Sequence, residues 1–241
     1  MNDVQKILLA VYIPLTVLVI IFENFCFETD IINYLKYTII ITLFLAVISV
    51  KKKFPEQRIM ARSFYYVVMA DFFFVLYGTF HLKLDLSFIG GLGFFLAYLV
   101  LIKAYGKNFR INKISVPVAI PIAVIYAFIL AAIYPYVNIF IFFGVLVFGI
   151  VIGLMTLRAI CTIFMKYYNP KIAIIIAISA ILMFICDAGE IVATFNPAYA
   201  PTAAPWLQNI IWASYIPGWA LLAVVINEKK LLLQHEASHD S

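Results

Sequence analysis

Apolar residues in this chain neither alternate nor keep to a narrow stripe. They continue for whole helix lengths, and each run stops at charges or a proline. Such runs lie at about 7 to 22, 34 to 50, 59 to 80, 86 to 105, 114 to 134, 138 to 165, 171 to 195 and 208 to 226, close to the roughly 20 residues needed to cross hydrocarbon. Lipid offers no partner to backbone N–H and C=O groups, so a crossing segment must satisfy them internally, as a helix does. The pattern predicts an all-α polytopic transmembrane bundle of eight helices over residues 1–230, with 231–241 as a polar cytoplasmic tail. The first run follows Asp3 and Lys6 without a small-residue cleavage site, and is read as a retained span.

Loop charge predicts orientation, because Lys and Arg resist translocation. Lys51, Lys52, Lys53, Arg58 and Arg62, then Lys103, Lys107, Arg110 and Lys113, then Lys166 and Lys171, then Lys229 and Lys230 alternate with connections holding only Lys83. The first connection of the other set carries Glu23, Glu28 and Asp30. Both termini are therefore expected in the cytoplasm, with a bacterial cytoplasmic membrane as the expected location. Of 241 residues, 66% are hydrophobic and 12% charged. Eight crossings consume about 160 positions, which leaves no room for a soluble catalytic module. The net charge of +5 follows from the loop asymmetry and implies no nucleic-acid partner. Cys26, Cys161 and Cys186 lie in or beside apolar runs and make no disulfide framework.

An acid far from a helix end is a functional candidate, since its charge is costly in hydrocarbon. Asp71, Asp187 and Glu190 are the acids so placed. From the 1.5 Å rise per residue, Asp71 lies about 14 Å and Asp187 about 12 Å below the outer ends of their parallel helices. Glu190 follows Asp187 at i+3 on the same face. Lys36, near the outer end of the second helix, is either a buried counter-ion or a side chain snorkelling to the interface. Arg158 is expected to anchor in headgroup phosphate. Gly149 and Gly153 suit close helix contact, and the Gly90, Gly91, Gly93 cluster either does the same or admits a ligand.

His235, Glu236 and His239 spell a zinc-type His-Glu-x-x-His, but they end the chain with no enclosing helix or third ligand, and no metal or cofactor is expected. His81 falls in a short connection and is read as a solvated loop residue.

Several short motifs then occur in series: Tyr34-Leu35-Lys36-Tyr37-Thr38, Ala70-Asp71, Phe88-x-x-Gly91, Phe94 to Tyr98, Met155-x-x-Arg158-Ala159, Ser179-Ala180-x-Leu182-x-Phe184-x-Cys186-Asp187 and Tyr215-x-x-Gly218-Trp219-x-Leu221-Leu222. In order and spacing they resemble the YhhN-type lysoplasmalogenase family of multi-pass membrane proteins over roughly residues 31 to 226. The family pattern has Lys-Pro at Lys36-Tyr37, Gly-Asp at Ala70-Asp71 and Ser-Asp at Cys186-Asp187. It favours His near Tyr98 and Gln or His near Trp219. Both acids are kept.

The resemblance implies hydrolysis of the vinyl ether bond of lysoplasmenyl-choline or lysoplasmenyl-ethanolamine, with Asp71 and Asp187 as the catalytic pair and a membrane lysophospholipid as partner. Lys36, Glu190, Tyr98, Tyr215 and Trp219 are the expected substrate contacts, Lys36 toward phosphate and Glu190 toward the headgroup cation.

The chemistry suits two acids. A vinyl ether yields to acid, because protonation of its distal alkene carbon gives an oxocarbenium ion that water captures as a hemiacetal. One carboxyl must hold a proton in a dry site while another stays anionic, a division that an apolar surround and a like-charged neighbour favour. A proton-coupled transporter is the alternative, since paired intramembrane acids also relay protons. An intramembrane aspartyl protease ranks behind it, as its Tyr-Asp and Gly-x-Gly-Asp sequences are missing.

Overall fold

The computed structural model describes residues 3–25, 29–80, 84, 86–107, 109–111 and 113–233. Its long helices are α1 Asp3–Phe25, α2 Thr29–Ser49, α3 Pro55–Asp71, α4 Ser87–Tyr105, α5 Ser115–Ile133, α6 Ile139–Cys161, α7 Pro170–Phe195 and α8 Pro205–Ile226. All eight spans are long and apolar enough to cross a membrane. Among the described residues the only β feature is an isolated bridge between Tyr168 and Leu232. The eight-helix all-α architecture expected from the apolar runs is thus present, as a multi-pass membrane protein. Cys26, Glu28, His81, Lys83, His235, Glu236 and His239 lie outside the described residues.

The polarity of the bundle is inverted relative to a water-soluble domain. Phe128, Phe140 and Ile150 point outward and are exposed, while Lys36, Glu56, Asp71 and Asp187 are buried. Helices α7 and α8 are the most enclosed and α5 the least. Helix α8 packs on α1, α2, α3 and α7, α3 pairs with α4, and α6 joins α4 and α5 to α7.

Small residues set these distances, because lipid tails give no hydrophobic drive and close approach must come from packing. A Cβ on Gly93 would lie 2.8 Å from the Ala70 Cβ and 2.9 Å from the Tyr66 carbonyl oxygen, so α4 rests almost on the α3 backbone just before Asp71. Gly90 is covered by the Phe74 ring, whereas Gly91 faces open space. A Cβ on Gly149 would sit 1.8 Å from the Tyr126 ring, whose hydroxyl donates to the Val145 carbonyl at 2.7 Å. The close contacts anticipated at Gly90, Gly93 and Gly149 are therefore made.

Helix ends differ from the apolar runs wherever local hydrogen bonding intervenes. The third helix begins at Pro55, ahead of position 59, because proline suits a first turn and Gln57 Oε1 accepts from the Lys53 and Phe54 N–H groups at 2.8 and 3.0 Å. Beyond Asp71 the same span widens into a π-helical turn, Phe72–Leu76, and then tightens into a 3₁₀ turn, Tyr77–Phe80. The sixth helix stops at Cys161, four residues before the expected 165. Thr162 donates to the Ala159 carbonyl at 2.6 Å, Lys166 takes the left-handed backbone region at φ 50°, and Asn169 with Pro170 opens α7.

Arg158 corrects the expectation of a headgroup anchor. Its guanidinium turns inward, donates to the Ile102 carbonyl at 3.1 Å and lies 5.1 Å from the Phe109 ring centroid. The last carbonyls of α4 lack intrahelical donors, and glycine at 106 leaves the space through which the arginine reaches one of them.

The terminus-bearing end is tied by further polar contacts. Gln5 donates to the Val224 carbonyl and to Glu228, and Gln57 donates to the Glu228 carbonyl at 2.7 Å. Leu231, Leu232 and Leu233, grouped with the tail by the apolar runs, instead run beside Tyr167–Asn169, with Leu231 fully buried. Glu56 is buried and accepts from Lys107 at 2.8 Å and Tyr167 at 2.6 Å.

Gly149→Val is expected to lower stability in detergent by about 1–3 kcal/mol, the usual cost of overpacking, read as a drop in thermal unfolding midpoint. Lys107, hydrogen-bonded to Glu56 and Tyr167, has its pKa raised above the ordinary lysine value. A raised folded value means its contribution is complete below the ordinary pKa and fades as pH climbs toward the folded one. Lys107→Met is therefore expected to melt below the parent at neutral pH, with the gap narrowing only at strongly alkaline pH.

Candidate active site

Asp71 is the last α-helical residue of α3, immediately before the π turn. A π turn inserts an extra residue into the helical repeat and re-aims the side chains that follow, which is why such turns mark functional positions. Asp187 sits within the continuous α-helix α7. Both carboxyls are enclosed, at 3% and 7% residue exposure, so neither meets bulk water.

Each acid is held by a tyrosine from another helix. The Tyr215 hydroxyl of α8 donates to Asp71 Oδ2 at 2.5 Å. The Tyr98 side chain of α4 hydrogen-bonds the Asp187 carboxyl, whose Oδ2 has no hydrogen-bond partner among the described residues.

The two couples share one aromatic wall. Tyr98 stacks on Phe94 and on Trp219, with centroids 6.3 and 6.4 Å apart and planes inclined at 20° and 15°. Tyr215 meets Phe94 edge-on at 6.1 Å and Trp212 at 5.5 Å. Asp71 and Asp187 lie within electrostatic reach of one another, and Glu190 within reach of both. Four helices, α3, α4, α7 and α8, thus converge on two acids and two phenols in a water-poor interior.

The remaining sequence candidates fall around this core. Lys36 does not snorkel. It is buried, ion-paired with Glu23 near the end of α1, and its ammonium sits 4.0 Å from the Trp212 ring centroid. Burying the charge is tolerable because a carboxylate and an aromatic face replace its water. Glu190 hydrogen-bonds Thr194, one turn further along α7, and is in reach of Lys36. Trp219 is fully buried, and its Nε1 lacks a partner among the described residues.

Three partners, Glu23, Trp212 and Glu56, are not singled out by the sequence. Glu23 was assigned to a connecting loop, yet it belongs to α1. Its signal was an acid and a lysine flanking one short connection, at matching depth on antiparallel helices. Trp212 and Glu56 were hidden among ordinary packing and helix-end residues. An apolar groove of 420 Å³ runs between α5, α6, α7 and α8 past Ile181, Phe184 and Ala188, and a 290 Å³ pocket at the terminus-bearing end is lined by Lys51, Lys53 and Lys229. Neither aspartate lines either of them.

The family model for YhhN matches residues 32–226, most of the chain. The chain belongs to the YhhN family. No curated protein and no solved structure matches it. The matched segment of this YhhN protein begins before Lys36 and ends at the close of α8, so it takes in both aspartates and both tyrosines.

Tyr215→Phe removes the donor to Asp71 without changing ring volume. The buried oxygen left without that partner is expected to cost about 1–3 kcal/mol, measured as a lower unfolding midpoint in detergent.

Proposed function

We propose that this YhhN protein is a lysoplasmalogenase-type hydrolase that cleaves the vinyl ether of a lysoplasmenyl-choline or lysoplasmenyl-ethanolamine lipid. The products are a fatty aldehyde and the glycerophospho-alcohol. The observation that carries the reading is the meeting of Asp71 and Asp187, each on its own tyrosine, inside an apolar bundle. Family membership supports the same class of activity.

One aspartic acid gives its proton to the distal alkene carbon, and the alkene electrons shift to form the oxocarbenium ion. The other, as carboxylate, stabilises that cation and takes a proton from the attacking water. The hemiacetal so formed loses the glycerol oxygen as an alcohol, yielding the aldehyde, and the pair regains its starting protonation. The net reaction is addition of one water across the enol ether carbon–oxygen bond. Exclusion of water strengthens the anion's effect on the cation, and the two carboxyls titrate as one unit.

In this reading the aromatic wall of Phe94, Tyr98 and Trp219 borders the enol ether, and Lys36 and Glu190 lie toward the phosphate and amine of the headgroup. The basic loops favour both termini on the cytoplasmic side, which would place the acids in the outer half of the membrane.

Purified protein in detergent is expected to release aldehyde from a lysoplasmenyl lipid and none from the saturated lyso-alkyl ether, which has no alkene carbon to protonate. Asp71→Asn and Asp187→Asn should each lower the rate by about 10²- to 10⁴-fold, as loss of a positioned acid or base does, with expression retained. Wild-type turnover of the saturated ether, or full activity in either variant, would overturn the mechanism. Substrate-driven proton movement in vesicles without aldehyde would favour a transporter.

A further inference from the structure

The two aspartates look alike in burial and in having a tyrosine each, but their oxygens are not equivalent. We propose that Asp187 is the member of the pair that carries the proton at neutral pH and donates it to the substrate, while Asp71 is the standing carboxylate. The assignment rests on the vinyl-ether reading for its catalytic half only; the protonation states follow from the hydrogen bonds.

An ionised carboxylate only accepts hydrogen bonds, and a buried oxygen of one left without a donor is uncompensated charge. Asp187 Oδ2 is such an oxygen if the group is ionised, and no cation offsets it as Lys107 does at Glu56, whose Oε2 likewise has no hydrogen-bond partner among the described residues. Placing a proton on Asp187 Oδ2 removes the uncompensated charge and leaves an O–H group engaged by no hydrogen-bond acceptor among the described residues, in this reading the proton given to the substrate carbon. The Tyr98 hydroxyl then serves the neutral carboxyl as its one partner.

Asp71 shows the opposite pattern. The Tyr215 hydroxyl donates to Asp71 Oδ2, and neither Asp71 oxygen is among the buried atoms left without a hydrogen-bond partner. Lys36 is within electrostatic reach of Asp71, as are Tyr37 from α2 and Glu190 from α7, whereas the charged groups acting on Asp187 are the acids Glu190 and Asp71. Cys186, Tyr98 and Tyr215 complete the titratable groups around the pair, with Tyr126 of α5 also in reach of Asp187. The cation on the Asp71 side is itself fixed, by Glu23 and the Trp212 ring. Lys36 is accordingly a positioning residue that biases where the shared proton rests.

Infrared spectroscopy of the detergent-solubilised protein tests this without substrate, because a protonated carboxyl has a carbonyl stretch above the amide bands and a carboxylate does not. In a Glu190→Gln background, which removes that acid's contribution, Asp187→Glu is expected to shift the protonated-carboxyl band, and Asp71→Glu to leave it in place. The Asp-to-Glu exchange keeps the charge, so one variant does not reset the other site. Lys36→Met should add intensity as Asp71 takes up a proton, and the added band should shift in Lys36→Met combined with Asp71→Glu, which separates it from any proton taken up by Glu23. A band that moves in Asp71→Glu and not in Asp187→Glu, or no protonated-carboxyl band at neutral pH, overturns the assignment. Should either glutamate variant fail to fold, single-site isotope labelling of each aspartate in the parent chain gives the same discrimination. Absence of aldehyde release by the parent protein would refute the hydrolase reading and leave the band assignment to stand or fall by itself.

Discussion

Every ionisable group that this bundle buries must find inside the protein what water would otherwise supply. Lys36 finds a carboxylate and an indole face, Asp71 a phenol, Glu56 an ammonium and a phenol, and Arg158 a helix-terminal carbonyl. Each of these partners comes from a different helix or connection than the charge it serves. The charges therefore specify which helices are neighbours, a task that apolar contact alone performs poorly in lipid. Asp187 stands apart from these: its Oδ2 has no hydrogen-bond partner among the described residues, and the charged groups acting on it are acids, with no cation among them. A buried acid with an orphan oxygen and no counter-ion points to chemistry more strongly than burial does.

Glycine and tyrosine divide the supporting work. Glycines at 90 and 93 bring α4 onto α3 closely, and Tyr98, five residues beyond Gly93, enters the bundle interior. Ser179 donates to the Gly218 carbonyl at 2.7 Å and joins α7 to α8 two turns from Asp187. The frame that carries the acids is thus held by small residues and backbone acceptors as well as by the polar contacts of the site. Phe94 touches both tyrosines, which makes the two halves of the pair mechanically continuous.

The number of helices, their order and the candidacy of Asp71 and Asp187 were legible because span length and the cost of a buried acid are one-dimensional facts. Tyr98, Tyr215 and Trp219 were legible only through resemblance, since an aromatic residue in an aromatic-rich chain carries no distinguishing signal of its own. Lys36 was seen but its direction was open, because snorkelling and pairing depend on what a neighbouring helix presents at that depth. Glu23 is that neighbour, and an acid close to a helix end reads as loop until the hairpin is closed. Arg158 was misjudged for the related reason that the unpaired carbonyls of α4 are invisible in the sequence of α6. The early end of α6 turned on a threonine and a left-handed lysine, details that an apolar run does not register.

The widened turn after Asp71 bears on how this span should be read. The π turn advances successive side chains by less than an α-helix does and the 3₁₀ turn that follows advances them by more, so the angular phase drifts from Phe72 to Leu76 and is largely recovered by Phe80. A helical wheel drawn continuously from Pro55 to Phe80 therefore misplaces Leu76 and Tyr77, in the middle of this run, more than Phe80 at its end.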